Sequence, residues 1–292
     1  MSLHRKGLLV FLLISFGVAW GWLFCAHLLL GLSVVNPLVQ LPAGFAPAGA
    51  AVIVRRWVTK EGFGDAGLAL RLRSGWSYYL VAWLGPLVLV AATAGLAAAL
   101  GVWSPDLSPL GDLVPGLPGW ASLALLMGVV LVLVPVYWGE EFGWTGYLRL
   151  RLFTDRPLPS VAATGIIWAV WHYPLAFLGY INFSNVALGL LVWTISLLFQ
   201  ETILAWLRFR SGSIWTASLA HSGNNMVFFL LTGLLLGGQF DETALTVLTA
   251  VPLAVAAAWI VISRQLVPAR RSSPGDARRD PARDPAPAHR GR

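Results

Sequence analysis

Seven polar side chains lie inside apolar sequence and are of the types that chemistry needs: Glu140, Glu141, His172, Glu201, His221, Asn224 and Asn225. Ionisable groups at membrane depth are costly to keep, so each is a functional candidate. Glu140 and Glu141 occur in Trp138-Gly-Glu-Glu-Phe-Gly-Trp-Thr-Gly-Tyr-Leu148, late in a long apolar run. His221 and Asn225 are four apart and share one helix face. Counting helical rise from the nearest arginines or prolines, Glu140 lies roughly 14–17 Å below a membrane interface, His221 about 16 Å and His172 about 19 Å. Three helices therefore carry polar groups to a similar depth. They can form one cluster at the centre of a bundle, in a polar cavity expected to open to the cytosol.

The chemistry this set suggests is hydrolysis. A buried carboxylate can act as general base on water. A neighbouring His can orient that water or share its proton. A second His and an Asn amide can donate hydrogen bonds to a developing oxyanion. There is no Gly-x-Ser-x-Gly elbow, and the single cysteine, Cys25, is remote in sequence and reads as a small packing residue. The His-Glu-x-x-His zinc signature is absent. Glu140, His172 and His221 are nonetheless chemically competent zinc ligands, so a divalent metal stays open at this point and no cofactor is otherwise implied. Glu201 reads as a structural charge that snorkels or pairs with an arginine such as Arg208, and Asn224 as a packing residue.

The elements that must position these groups follow from composition. The 292 residues are 57% hydrophobic and 11% charged, with a mean hydropathy of +0.72. Soluble domains carry about 25% charged residues, so most of this chain must have lipid as its solvent. Long unbroken apolar runs argue for helices rather than a barrel. They fall at about Gly7–Leu30, Leu41–Val54, Ser77–Leu100, Ala121–Trp138, Ser160–Tyr180, Val186–Leu207, Ser213–Leu236 and Thr243–Ile262. The expected fold is thus all-α, a polytopic bundle of about eight spanning helices over residues 1–267. The stretch 268–292, with seven Arg and three Asp, reads as a disordered basic tail. With eight spans every Lys and Arg falls on one side, which the positive-inside rule assigns to the cytosol together with both termini. A multi-pass plasma-membrane protein follows, with the bilayer as partner. The net charge of +7 is then a matter of topology, and no nucleic-acid partner is needed.

Over about residues 120–235 the motifs resemble the CPBP family, the type II CAAX prenyl proteases and bacteriocin-processing (Abi) intramembrane proteases. Glu140-Glu141 match the family's Glu-Glu-x-x-x-Arg, with Thr145 at the Arg position. His172 matches Phe-x-x-x-His, with Trp168 in place of Phe, and His221 and Asn225 match His-x-x-x-Asn. Ser211-Gly-Ser-Ile-Trp-Thr-Ala-Ser-Leu-Ala-His221 also resembles the segment leading into the third motif. The resemblance implies an intramembrane endopeptidase cutting a peptide bond near the cytosolic leaflet. Its substrate would be a peptide or protein, with prenylated and membrane-tethered chains among the classes. Glu140 would activate water with His172, Glu141 would support the site, and His221 and Asn225 would stabilise the oxyanion. Thr145 cannot supply the cation that Arg would place one turn after Glu141. An Arg restored there is expected to be tolerated. Two other readings stay open: a non-catalytic scaffold or bacteriocin self-immunity protein that keeps the motifs, and a small transporter relaying protons between Glu140 and His172.

Overall fold

The computed structural model describes residues 2–267. The tail expected at 268–292 lies outside the described residues. Among those described there is no strand, and the chain is an all-helical bundle. Its long helices are α1 (Leu3–Leu29), α2 (Pro37–Val58), α3 (Leu72–Ala99), α4 (Gly119–Leu148), α5 (Pro157–Phe177), α6 (Val186–Ser211), α7 (Ile214–Leu236) and α8 (Glu242–Ile262).

Local sequence explains most of the boundaries. The side chains of Asn36, Asn185 and Asp241 accept hydrogen bonds from the first turns of α2, α6 and α8, satisfying donors that a helix start leaves unpaired. Pro37 and Pro157 sit in first turns, where no amide proton is missed. Gly212, at φ 68°, ends α6 in the left-handed conformation, and Ser213 at once caps α7. That two-residue corner holds α7 against α6.

All of these helices except α5 are long and apolar enough to cross a membrane, seven in number. The 21-residue α5 spans about 31 Å at helical rise, so its length suffices. Its composition falls short of the others because it carries Trp168, Trp171, His172, Tyr173 and Pro174. Mid-helix valines confirm which solvent the bundle meets. Val88, Val132 and Val255 are 65%, 76% and 66% exposed, a pattern suited to lipid rather than water. The protein is a multi-pass membrane bundle.

The arginines of α2, α4 and α6 meet at one end. There the connection 59–71 between α2 and α3 lies as a strap across the ends of α4, α6 and α7. Arg55, fully buried, reaches the Gly62 carbonyl at 2.6 Å, Asp65 at 2.8 Å and the Gly146 carbonyl at 2.7 Å. Arg151 pairs with Glu61 at 2.8 Å, and Arg208 donates to the Asp65 carbonyl at 3.0 Å. The start of α7 is tied in as well, Ile214 N–H to the Gly67 carbonyl at 2.9 Å and Trp215 Nε1–H to the Leu68 carbonyl at 2.8 Å. Gly67 has φ 75°, and a Cβ there would collide with the Arg208 guanidinium, so only glycine fits. Burial alone would raise the Asp65 carboxyl. The hydrogen bond and charge of Arg55, with the charge of Arg151, outweigh it and hold the group below its ordinary value.

Candidate active site

Glu140 is positioned by a close approach of α2 and α4. Gly139 and Gly143 form a Gly-x-x-x-Gly pair flanking the two glutamates. A Cβ on Gly143 would meet the Pro47 backbone at 2.7 Å, and one on Gly139 would meet the Gly44 carbonyl at 3.1 Å. Small residues let the two backbones pack this closely in lipid. One Glu140 oxygen, Oε2, accepts a 2.8 Å hydrogen bond from Trp168 Nε1–H on α5. Trp168 therefore contributes more than aromatic bulk, since the Phe of the family motif has no such donor.

His172 lies one turn beyond Trp168. Its Nδ1 is 2.9 Å from the Trp168 carbonyl. A carbonyl only accepts, so Nδ1 carries the proton and Nε2 points the other way. That Nε2 is 4.0 Å from Glu140 Oε2, close enough for one water to reach both atoms at hydrogen-bond distance. His172 is walled by Trp168, Trp171 and Trp193, with ring centroids at 5.3, 4.9 and 5.7 Å.

Glu141 is 1% exposed. Its Oε1 lies 3.0 Å from His221 Nδ1 on α7. His221 also packs against Tyr137 at 4.9 Å and Trp168 at 5.2 Å between centroids. Asn225 follows at the start of a π-helical stretch, Asn224–Phe229, and such stretches are frequent at functional sites. Glu140, His172, His221 and Asn225 all line one cavity of about 730 Å³. The structure thus brings together at one cavity four of the five expected site residues and places the fifth, Glu141, behind His221.

Thr145 is fully buried, and its hydroxyl is spent on the Glu141 carbonyl at 2.9 Å. The partner that sequence finds missing beside Glu141 is supplied instead by His221, whose Nδ1 lies 3.0 Å from Glu141 Oε1. There is no space for a guanidinium at 145. In contrast to the expectation from sequence, Thr145→Arg should destabilise the protein by about 1–3 kcal/mol through overpacking. Thermal unfolding of the detergent-solubilised variant will measure it, and an unchanged midpoint would contradict the packing described here.

Glu201 does pair with an arginine, but with Arg149 and not Arg208. Arg149 Nε and Nη2 are each 2.9 Å from Glu201 Oε1, with side-chain exposures of 0% and 1%. A π-helical turn at Trp144–Leu148 adds a residue to α4 and turns Arg149 inward. Sequence counting on a regular helix places Arg149 at the interface and misses this. Asn224 packs with its amide 3.5 Å from Gln200. Tyr137 and Gln200 also line the cavity and were not singled out from sequence. The spacing of three between Tyr137 and Glu140 was the available signal.

Among the described residues no group of three or more His, Cys, Asp or Glu side chains is arranged to hold a metal ion. Glu140, His172 and His221 form no such group.

The lining of the cavity extends from this cluster toward the arginine-free end of the bundle. Its far lining includes Val35, Gln40, Tyr180, Ile181, Gly237 and Glu242, all at connections free of Lys and Arg. The strap and a stack of aromatic rings occupy the arginine-rich end. Phe63, Phe142, Trp138 and Trp215 follow one another with centroids 6.1, 4.8 and 6.2 Å apart.

Glu140, His172, His221 and Asn225 thus share one internal cavity of a helical membrane bundle. Residues 120–227 match the family model described as type II CAAX prenyl endopeptidase Rce1-like. This is the family that the three motifs resemble, and the matched segment holds all five expected site residues. The match supports protease activity in general, on peptide or protein substrates in a membrane. No curated protein matches the chain.

Proposed function

We propose that this chain is an intramembrane endopeptidase of the CAAX prenyl protease type, in which Glu140 and His172 activate the attacking water. The observation that carries this reading is the 4.0 Å gap between Glu140 Oε2 and His172 Nε2, facing the cavity that His221 and Asn225 also line. A water in that gap gives one hydrogen bond to the carboxylate and one to the imidazole nitrogen, leaving a lone pair for the scissile carbonyl carbon. As its oxygen attacks, the proton passes to Glu140 and the carbonyl oxygen gains negative charge. Asn225 donates its amide proton to that oxygen. His221 donates from Nε2 when both ring nitrogens are protonated, a charge that Glu141 balances at 3.0 Å. Collapse of the tetrahedral species breaks the C–N bond, and the proton held by Glu140 goes to the leaving amine. The products are a carboxylate and an amine.

Glu140 lies about 12 Å from the Leu148 end of α4 and about 31 Å from its Gly119 end at helical rise. The bond is therefore cut in the leaflet nearer the arginine-rich face. By the positive-inside rule that face is cytosolic and holds both termini, in a multi-pass plasma-membrane protein with one membrane domain over residues 1–267.

The test is cleavage of a membrane-tethered peptide by the purified protein, with chelator in parallel. Asn225→Ala should lower kcat by about 100-fold, the usual effect of losing one oxyanion donor, with KM little changed and the unfolding midpoint retained. Wild-type turnover by this variant would remove Asn225 from the reaction, and abolition by chelator would replace the carboxylate-activated water with a metal-bound one.

A further inference from the structure

Glu140 is a flexible side chain, and holding it in one geometry sacrifices rotamer freedom. Among the described residues its carboxylate receives a single hydrogen bond, from Trp168 Nε1–H at 2.8 Å. The other oxygen, Oε1, is turned toward α2, where a Cβ on Gly44 would stand 3.8 Å from it, and finds no donor there. The oxygen that Trp168 grips, Oε2, is the one that faces His172 Nε2 at 4.0 Å.

The same residue also holds His172. The Trp168 carbonyl takes the Nδ1 proton at 2.9 Å, which leaves Nε2 as the acceptor turned to the carboxylate. Position 168 therefore fixes the carboxylate through its side chain and the imidazole through its backbone. The indole is itself fixed. It is 2% exposed and meets the rings of His172 and His221 edge to face, with centroids 5.3 and 5.2 Å away and interplanar angles of 75° and 83°, an arrangement that aromatic pairs favour. A Phe at 168, as in the motif of the resembled family, would keep the carbonyl and could keep the edge contacts. It has no N–H, so Glu140 would lose its one hydrogen bond.

We infer that Trp168 is the positioning residue of the Glu140–His172 pair, its indole N–H aiming Glu140 Oε2 at the water site beside His172 Nε2. This rests on the reading of Glu140 as the base. Trp168 neither touches the substrate nor takes up a proton, and it acts through Glu140 alone. The motifs and the family match account for an aromatic ring at 168 but assign no donor there.

The experiment removes the donor and keeps the ring. Amber suppression places 3-benzothienylalanine at 168, with sulfur where the indole has N–H. On a membrane-tethered peptide, kcat should fall about 10–100-fold, the effect of a base misplaced by about an ångström. KM should stay within about twofold, and the unfolding midpoint should be retained. Trp168→Phe, which also lacks the donor, should lose a similar factor in kcat. A parental kcat in either variant, or a loss carried by KM, would overturn the inference. In a Glu140→Gln background the benzothienyl replacement should change the residual rate by less than about twofold, since there is no base left to aim. The same fractional loss in both backgrounds would overturn the inference, because the ring would then act on the cavity and not through Glu140. A second readout needs no turnover. In protein labelled with 15N-tryptophan, the indole resonance missing from Trp168→Phe should move on Glu140→Gln, because a carboxylate is a stronger acceptor than an amide. An unmoved resonance would overturn the contact. Parental turnover by Glu140→Gln with a shifted resonance would instead sink the reading of Glu140 as base, and with it any positioning role for Trp168 in catalysis.

Discussion

Replacing Glu140 with Gln should lower peptide cleavage by about 10²–10⁴-fold, the contribution of a positioned general base. The amide has the shape of the carboxylate and can still accept the Trp168 indole proton, now made at 2.8 Å. Cavity and fold should therefore persist, and the variant should extract and unfold like the parent. What it loses is the ability to take a proton from the water beside His172 Nε2. His172→Ala, which removes the second water partner but leaves the base, should fall less far. Initial rates on a membrane-tethered peptide, read beside the unfolding midpoint, separate chemistry from stability. Turnover of Glu140→Gln at the parental rate would end the proposed mechanism.

The second large effect concerns stability. Arg149 and Glu201 are paired at 2.9 Å with essentially no exposure. Truncating one partner strands the other charge in a low-dielectric interior, which costs about 3–5 kcal/mol. Arg149→Leu and Glu201→Leu should each lower the thermal midpoint in detergent sharply. The double variant should recover most of the loss, since an apolar pair of similar volume is often neutral or better. Additive losses in the double variant would show that the two side chains do not act as a pair. Cleavage by the double variant should stay within a few-fold of the parent, because neither residue lines the cavity.

How far sequence alone reaches is visible in these same residues. The all-helical class and the grouping of Glu140, His172, His221 and Asn225 were legible because charge is so scarce in this chain that each polar group in an apolar run carries information. The weakly apolar second run is a real helix, as the placement of arginines required. What sequence hid is rotation and direction. The π-helical turn after Gly143 turns Arg149 inward, and no spacing rule on a regular helix anticipates an added residue. The partner of Glu141 could not be read either, because His221 lies 80 positions away and the motif pointed to an Arg at 145. The closure of the arginine-rich end depends on how residues 59–71 fold back. A polar connection reads as a loop whether it hangs free or lies as a strap over helix ends.

The Gly139–Gly143 approach to Pro47 also bears on how the protein is made. Two of the helices most needed by the site are poorly suited to lipid by themselves. α2 carries Pro42 and Pro47 within its length, and α5 is too polar to rank with the other spans. Each is covered by a neighbour in the bundle, α4 lying against α2 and α6 against α5. In a two-stage view of assembly, the strongly apolar α1, α3, α4, α6 and α8 settle first as independent helices. α2 and α5 are then recruited laterally, and the pair proposed to activate water, Glu140 on α4 and His172 on α5, comes together only with that last recruitment. A newly made chain therefore carries no assembled Glu140–His172 pair while its helices are still inserting.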